Sequence, residues 1–193
     1  FDGEPFYNMG LNLLFQNRID EAYSHFHKAV WNAAWMDSGY FQLARIDSLK
    51  GDYQPALKNI NRSLLRNWHH HKARHLKVAI LRMLNKKKEA LQLCTESLQI
   101  DNFNFGVLFE QFFLGKTDSL NNLKKLIRGN IHTYIEYALD YAHAGLYKEA
   151  IRLIEISIKQ QPGKIYPMAL YYKARFEYNL GKSATLKQTL KDS

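Results

Sequence analysis

Four histidines crowd one short stretch, His69-His70-His71 and then His75. His71 and His75 are four apart, a spacing at which two imidazoles on a helix can share a metal ion. Consecutive helical residues point about 100° apart, so the four rings cannot all converge. No cysteine or carboxylate stands nearby in sequence to complete a ligand set. The stretch therefore reads as no functional metal site. Gly115-Lys116-Thr117 resembles the end of a phosphate-binding loop, but the earlier glycine and the strand that such a loop needs are missing. It reads as a turn. There is no Gly-x-Ser-x-Gly elbow, no His-Glu-x-x-His and no paired-cysteine site. The expectation is a chain with no catalytic residue, no cofactor and no enzymatic activity.

The remaining chemistry is charge and packing. Lys and Arg number 27 against 18 Asp and Glu, a net charge of +9, which favours an acidic partner. The excess is spread along the chain, although 62–88 is dense, and no basic stripe interleaved with stacking aromatics marks a nucleic-acid binder. The most apolar run, Phe103 to Leu114, contains Glu110 and falls well short of the roughly 20 residues of a membrane span. The lone cysteine, Cys94, takes an inward position and reads as a small core residue. The sequence opens Phe1-Asp2-Gly3-Glu4 without Met, so the expectation is a fragment of a longer chain.

Those side chains must be positioned by a repeating element. Ala22, Ala56 and Ala90 stand 34 residues apart. Phe26, Ile60 and Cys94 follow four residues later, and Ala29, Ser63 and Ser97 seven later. Gly10, Ala44 and Val78 keep the same interval on the preceding helix, as do the turn residues Asn17, Gly51 and Asn85. Packing and turn chemistry thus share one period, which is the mark of stacked helical hairpins. Helices are expected over 4–15, 19–30, 36–50, 53–66, 69–84 and 87–100. A fourth, shortened unit of about 27 residues follows, with helices over 103–114 and 119–128, the second short by two turns. The pattern resumes with Tyr134, Ala138, Gly145, Tyr147, Ala150, Ile154 and Pro162, and a sixth unit ends in a polar capping helix over 183–191. The units run 4–34, 36–68, 69–102, 103–129, 130–163 and 164–193 within a single domain of 193 residues.

On these residues the chain resembles the tetratricopeptide-repeat (TPR) family over essentially its whole length. The resemblance implies an all-α, right-handed superhelical solenoid of about six antiparallel helix pairs. It also implies a non-catalytic scaffold that binds proteins or peptides in a concave groove lined by the first helix of each unit. A narrower resemblance rests on Ile19-Asp-Glu-Ala-Tyr23, Trp31-Asn-Ala-Ala-Trp35, Gly39-Tyr40-Phe41, Arg66-Asn67-Trp68-His69 and Asp101-Asn102-Phe103. It is to the C-terminal repeat region of large bacterial proteins whose upstream β-sandwich domains are uncharacterised and carbohydrate-related. That likeness implies a structural tail packing on upstream domains of the same chain. The TPR subclass that clamps chaperone C-termini is not matched: its positions hold Tyr7, Leu11, Gln42, Lys72 and Leu76, and only Lys72 agrees.

Repeat geometry places Tyr7, Leu11, Phe41, Arg45, Ser48, Lys72, His75 and Arg82 toward the groove. Tyr7, Phe41, Arg45, Lys72, His75 and Arg82 make up a basic, aromatic-edged surface for an acidic or C-terminal peptide segment, with the three cations as charge partners. Phe103, Phe105, Phe109, Phe112 and Phe113 are expected to fill the core of the irregular unit, and Trp31, Trp35 and Trp68 to pack between units.

Overall fold

The computed structural model describes residues 2–181, which form eleven α-helices and a 3-10 turn at Ala33–Trp35, with no strand among them. The helices are α1 (Glu4–Phe15), α2 (Ile19–Ala29), α3 (Met36–Lys50), α4 (Tyr53–Arg66), α5 (His71–Met83) and α6 (Lys87–Ile100). They continue with α7 (Phe105–Phe113), α8 (Thr117–Ile127), α9 (Ile131–His143), α10 (Tyr147–Lys159) and α11 (Pro167–Asn179). The expected spans of α1, α3, α4 and α6 coincide with those observed. The capping helix expected over 183–191 lies outside the described residues.

Each hairpin turns by the same device. A left-handed residue ends the first helix: Asn17 (φ 59°), Gly51 (84°), Asn85 (57°), Gly115 (98°) and Gly145 (77°). The amide that follows donates back to a carbonyl five residues earlier. The pairs are Arg18 to Leu13, Asp52 to Asp47, Lys86 to Leu81, Lys116 to Gln111 and Leu146 to Tyr141, all at 2.9 Å. These bonds satisfy carbonyls that a helix end leaves without a partner. Gly115-Lys116-Thr117 is such a turn.

The chain divides into two compact units, 1–120 and 121–193. In the first, Ala22, Ala56 and Ala90 are fully buried. At Gly10 a Cβ would sit 2.7 Å from the Phe26 ring, so the small residue there is required by close approach. One apolar cluster gathers Leu13, Ala22, Phe26, Val30, Leu43 and Ile46, and another gathers Val78, Leu81, Ala90, Leu93, Cys94, Val107 and Leu114. Burial pushes the Cys94 thiol up to about 12, which keeps it protonated and inert at neutral pH. In the second unit α9 and α10 form a hairpin around the buried Tyr134, Ala138, Tyr141, Ala150, Leu153 and Ile154, and α11 packs on α10. There Lys173 lies 3.7 Å from Glu155 and 3.4 Å from Glu177.

Three details differ from expectation. The second helix of the fourth unit is not short by two turns: α8 has 11 residues, as many as α2, and the shortening falls on α7, with 9 residues against 13 in α5. Of its phenylalanines only Phe109 is fully buried, whereas Phe103 is exposed. The reason is the Asn104 side chain, which accepts from the Val107 amide at 3.2 Å and starts α7 beyond Phe103. Of the tryptophans, Trp35 packs on Tyr7 at 4.8 Å between ring centres, but Trp31 is 73% exposed.

Because Ala56 is fully buried where two helices meet, Ala56→Arg is expected to cost about 3 kcal/mol or more in denaturant unfolding. Wild-type stability in that variant would refute the repeat register.

Candidate functional site

The first helices of the first compact unit, α1, α3, α5 and α7, meet through side chains rather than backbone. Gln42 Nε2 on α3 donates to Tyr7 Oη on α1 at 3.2 Å, and Arg45 Nη1 donates to Gln42 Oε1 at 2.9 Å. The Arg45 guanidinium also lies over the Phe41 ring, 5.8 Å from its centre. Phe41 in turn packs on His70, the residue that caps α5, with ring centres 4.8 Å apart. The result is a run of polar and aromatic contacts from Tyr7 through Gln42, Arg45 and Phe41 to His70.

Further along the same helices the contacts become buried. His75 is 5% exposed, and a Cβ on Gly106 of α7 would stand 2.5 Å from its Cγ. Arg82 on α5 grips Glu110 on α7 with two bonds, Nε to Oε2 at 2.8 Å and Nη2 to Oε1 at 3.2 Å, and lies over the Phe113 ring. Glu110 is 0% exposed, so this is a buried bidentate ion pair. The structure therefore brings Tyr7, Phe41 and Arg45 into one contacting group. It sets His75 and Arg82 in a second group against α7, and leaves Lys72 exposed in the first turn of α5. Gln42 and Glu110 join these groups, and neither residue type alone advertised that role in the sequence. The 34-residue register, which sets Gln42 beside Tyr7's helix, is the signal that could have found the first.

The histidines disperse. His71 Nδ1 lies 3.6 Å from Asp101, His70 lies on Phe41, and His75 is buried under α7. Among the described residues no group of three or more His, Cys, Asp or Glu is placed to hold a metal ion. Burial holds the His70 imidazole below its usual range, helped by His71 and Lys72 and opposed by Asp37.

Similar solved structures decide the fold. A tetratricopeptide repeat protein from Parabacteroides merdae is 16% identical, with a TM-score of 0.63 over 98% of this chain and 83% of that one. The chain has the TPR fold. PilF of Pseudomonas aeruginosa, 14% identical, superposes with a TM-score of 0.60 over 97% of this chain and 88% of that one. YrrB, described as a TPR protein with an unusual peptide-binding site, is 17% identical with a TM-score of 0.57, covering 89% of this chain and 92% of that one. No protein-family model and no curated protein sequence matches the TPR chain.

The buried pair between α5 and α7 gives a direct test of how this face is held. Arg82→Met leaves the Glu110 carboxylate buried without its cation and is expected to cost about 3 kcal/mol in chemical unfolding. Arg82→Met with Glu110→Leu is expected to recover most of that loss. Equal losses in the single and double variants would show that the pair contributes nothing specific.

Proposed function

We propose that this TPR array is a non-catalytic scaffold that binds a peptide or protein segment of acidic character along the face of its first helices. The observation that carries the reading is the Tyr7–Gln42–Arg45–Phe41–His70 run, with Lys72 beside it. It presents cations and aromatic edges on a surface whose side chains are already braced, which lowers the ordering cost of binding. Arg45 and Lys72 are the charge partners in this reading, since Arg82 is committed to Glu110. YrrB, with its peptide-binding site on the same kind of fold, supports the class of ligand. A second reading is a packing surface for another domain of the same polypeptide. It rests on Met9 and Phe15, apolar side chains exposed on α1.

The test is fluorescence anisotropy with a panel of labelled Asp- and Glu-rich peptides, some ending in a free carboxylate. At least one is expected to bind saturably, and Arg45→Glu with Lys72→Glu to abolish that binding with the helical circular dichroism intact. Undiminished binding by the double variant, or no binding anywhere in the panel, would overturn the proposal.

A further inference from the structure

The second helices of units one and two carry a surface that the first-helix face does not use. Lys28 on α2 and Arg62 on α4 occupy the same place in the repeat, as do Trp31 and Leu65 three residues later. All four are exposed, Leu65 to 84% and Trp31 to 73%, and Arg66 is exposed beside Leu65. Each cation leans on a ring of its own unit's first helix, Lys28 over Phe6 at 5.7 Å and Arg62 over Tyr40 at 5.3 Å. Lys28, Arg62 and Arg66 make no ion pair among the described residues. The row ends at the third unit, where Glu96 stands in the place of Lys28 and Arg62 and Gln99 in the place of Trp31 and Leu65.

Cations at the end of a helix suit its dipole, so Lys28 and Arg66, in the last turns of α2 and α4, need no ligand. The dipole does not account for the neighbouring apolar tips, which stay largely in solvent. A large aromatic and a leucine left in water cost free energy, and two at one repeat position form a line rather than an accident of composition. Their exposure also narrows the partner. A side chain lining a peptide groove is sheltered by the groove's walls, whereas Leu65 and Trp31 are largely open to solvent. Protruding apolar tips beside uncompensated cations match an anionic bilayer surface. There Trp settles at the headgroup level, Leu enters the acyl boundary, and Lys and Arg meet acidic lipids.

We propose that the edge formed by Lys28, Trp31, Arg62, Leu65 and Arg66 is a peripheral docking site for a membrane surface rich in anionic lipid. The site lies on α2, α4 and the turn just after α2, and stands whether or not the first-helix face binds a peptide.

The experiment is co-sedimentation of the 193-residue chain with phosphatidylcholine vesicles, with or without about one third phosphatidylglycerol. Binding is expected to the anionic vesicles alone and to fall as salt rises. Arg62→Gln with Arg66→Gln, and Trp31→Ser with Leu65→Ser, are each expected to weaken it by roughly tenfold or more. Leu65→Ser alone, at the more exposed of the two apolar positions, covers the case in which a double variant fails to fold. Absence of binding, equal binding to neutral vesicles, or variants that bind like wild type would overturn the proposal. So would poly-glutamate bound at this edge in the absence of vesicle binding, since that would make it a protein-docking site.

Discussion

The structure depends on how closely the two helices of a hairpin can approach. Ala22, Ala56 and Ala90 are fully buried on the second helices, and Gly10, Ala44 and Val78 are buried on the first. Nothing larger fits at Gly10, where the Phe26 ring already occupies the space of a Cβ. Once these contacts fix the spacing, the left-handed turn residues fix the direction, and every other side chain inherits its environment from its place in the 34-residue register. In the fourth unit the larger Leu108 stands before Gly115 where Gly10, Ala44 and Val78 stand before Asn17, Gly51 and Asn85. There α7 has 9 residues against 13 in α5, and the 34-residue period is lost.

That inheritance explains what could be read from residues alone. Helix spans, turn residues and buried alanines followed from periodicity because one face of a helix repeats every three to four residues. Periodicity assigns a residue to a face, however, and not to a neighbour. His75 and Arg82 were assigned to the groove face of α5, and the neighbour they meet is α7, through Gly106 and Glu110. Phe103 reads as part of an apolar helix, yet one side-chain cap at Asn104 sets it outside. The fourth unit was legibly short, but its length did not say that the loss falls on α7 and not on α8.

Arg74 is the residue that sequence reasoning passed over. Its register partners are Phe6 and Tyr40, each inside the hairpin with a cation above it, Lys28 or Arg62. In the third unit the arrangement is inverted. Arg74 is inside, 0% exposed; burial lowers its affinity for the proton, and Glu96 at the outer position partly opposes that. Its Nε donates to Ser97 Oγ at 2.9 Å, its Nη1 to the Trp68 carbonyl at 3.3 Å, and its guanidinium lies 4.2 Å from the Trp68 ring centre. A buried cation is tolerable only with such partners. An arginine at an aromatic position looks like a surface residue until the register is laid over its neighbours. In the same unit Glu96 takes the outer place held by Lys28 and Arg62 in units one and two, which ends the basic row.

If register governs packing, the two arrangements should be exchangeable as pairs and not as single residues. The most direct measurement is a double-mutant cycle, by chemical unfolding, on Arg74→Tyr and Glu96→Arg, which together install the pair of unit two in unit three. The account predicts that Glu96→Arg alone is destabilising, because it sets a second cation against the buried Arg74. It predicts that the double variant regains stability, with a coupling of about 1 kcal/mol or more. Losses that simply add, with coupling below about 0.5 kcal/mol, would contradict it.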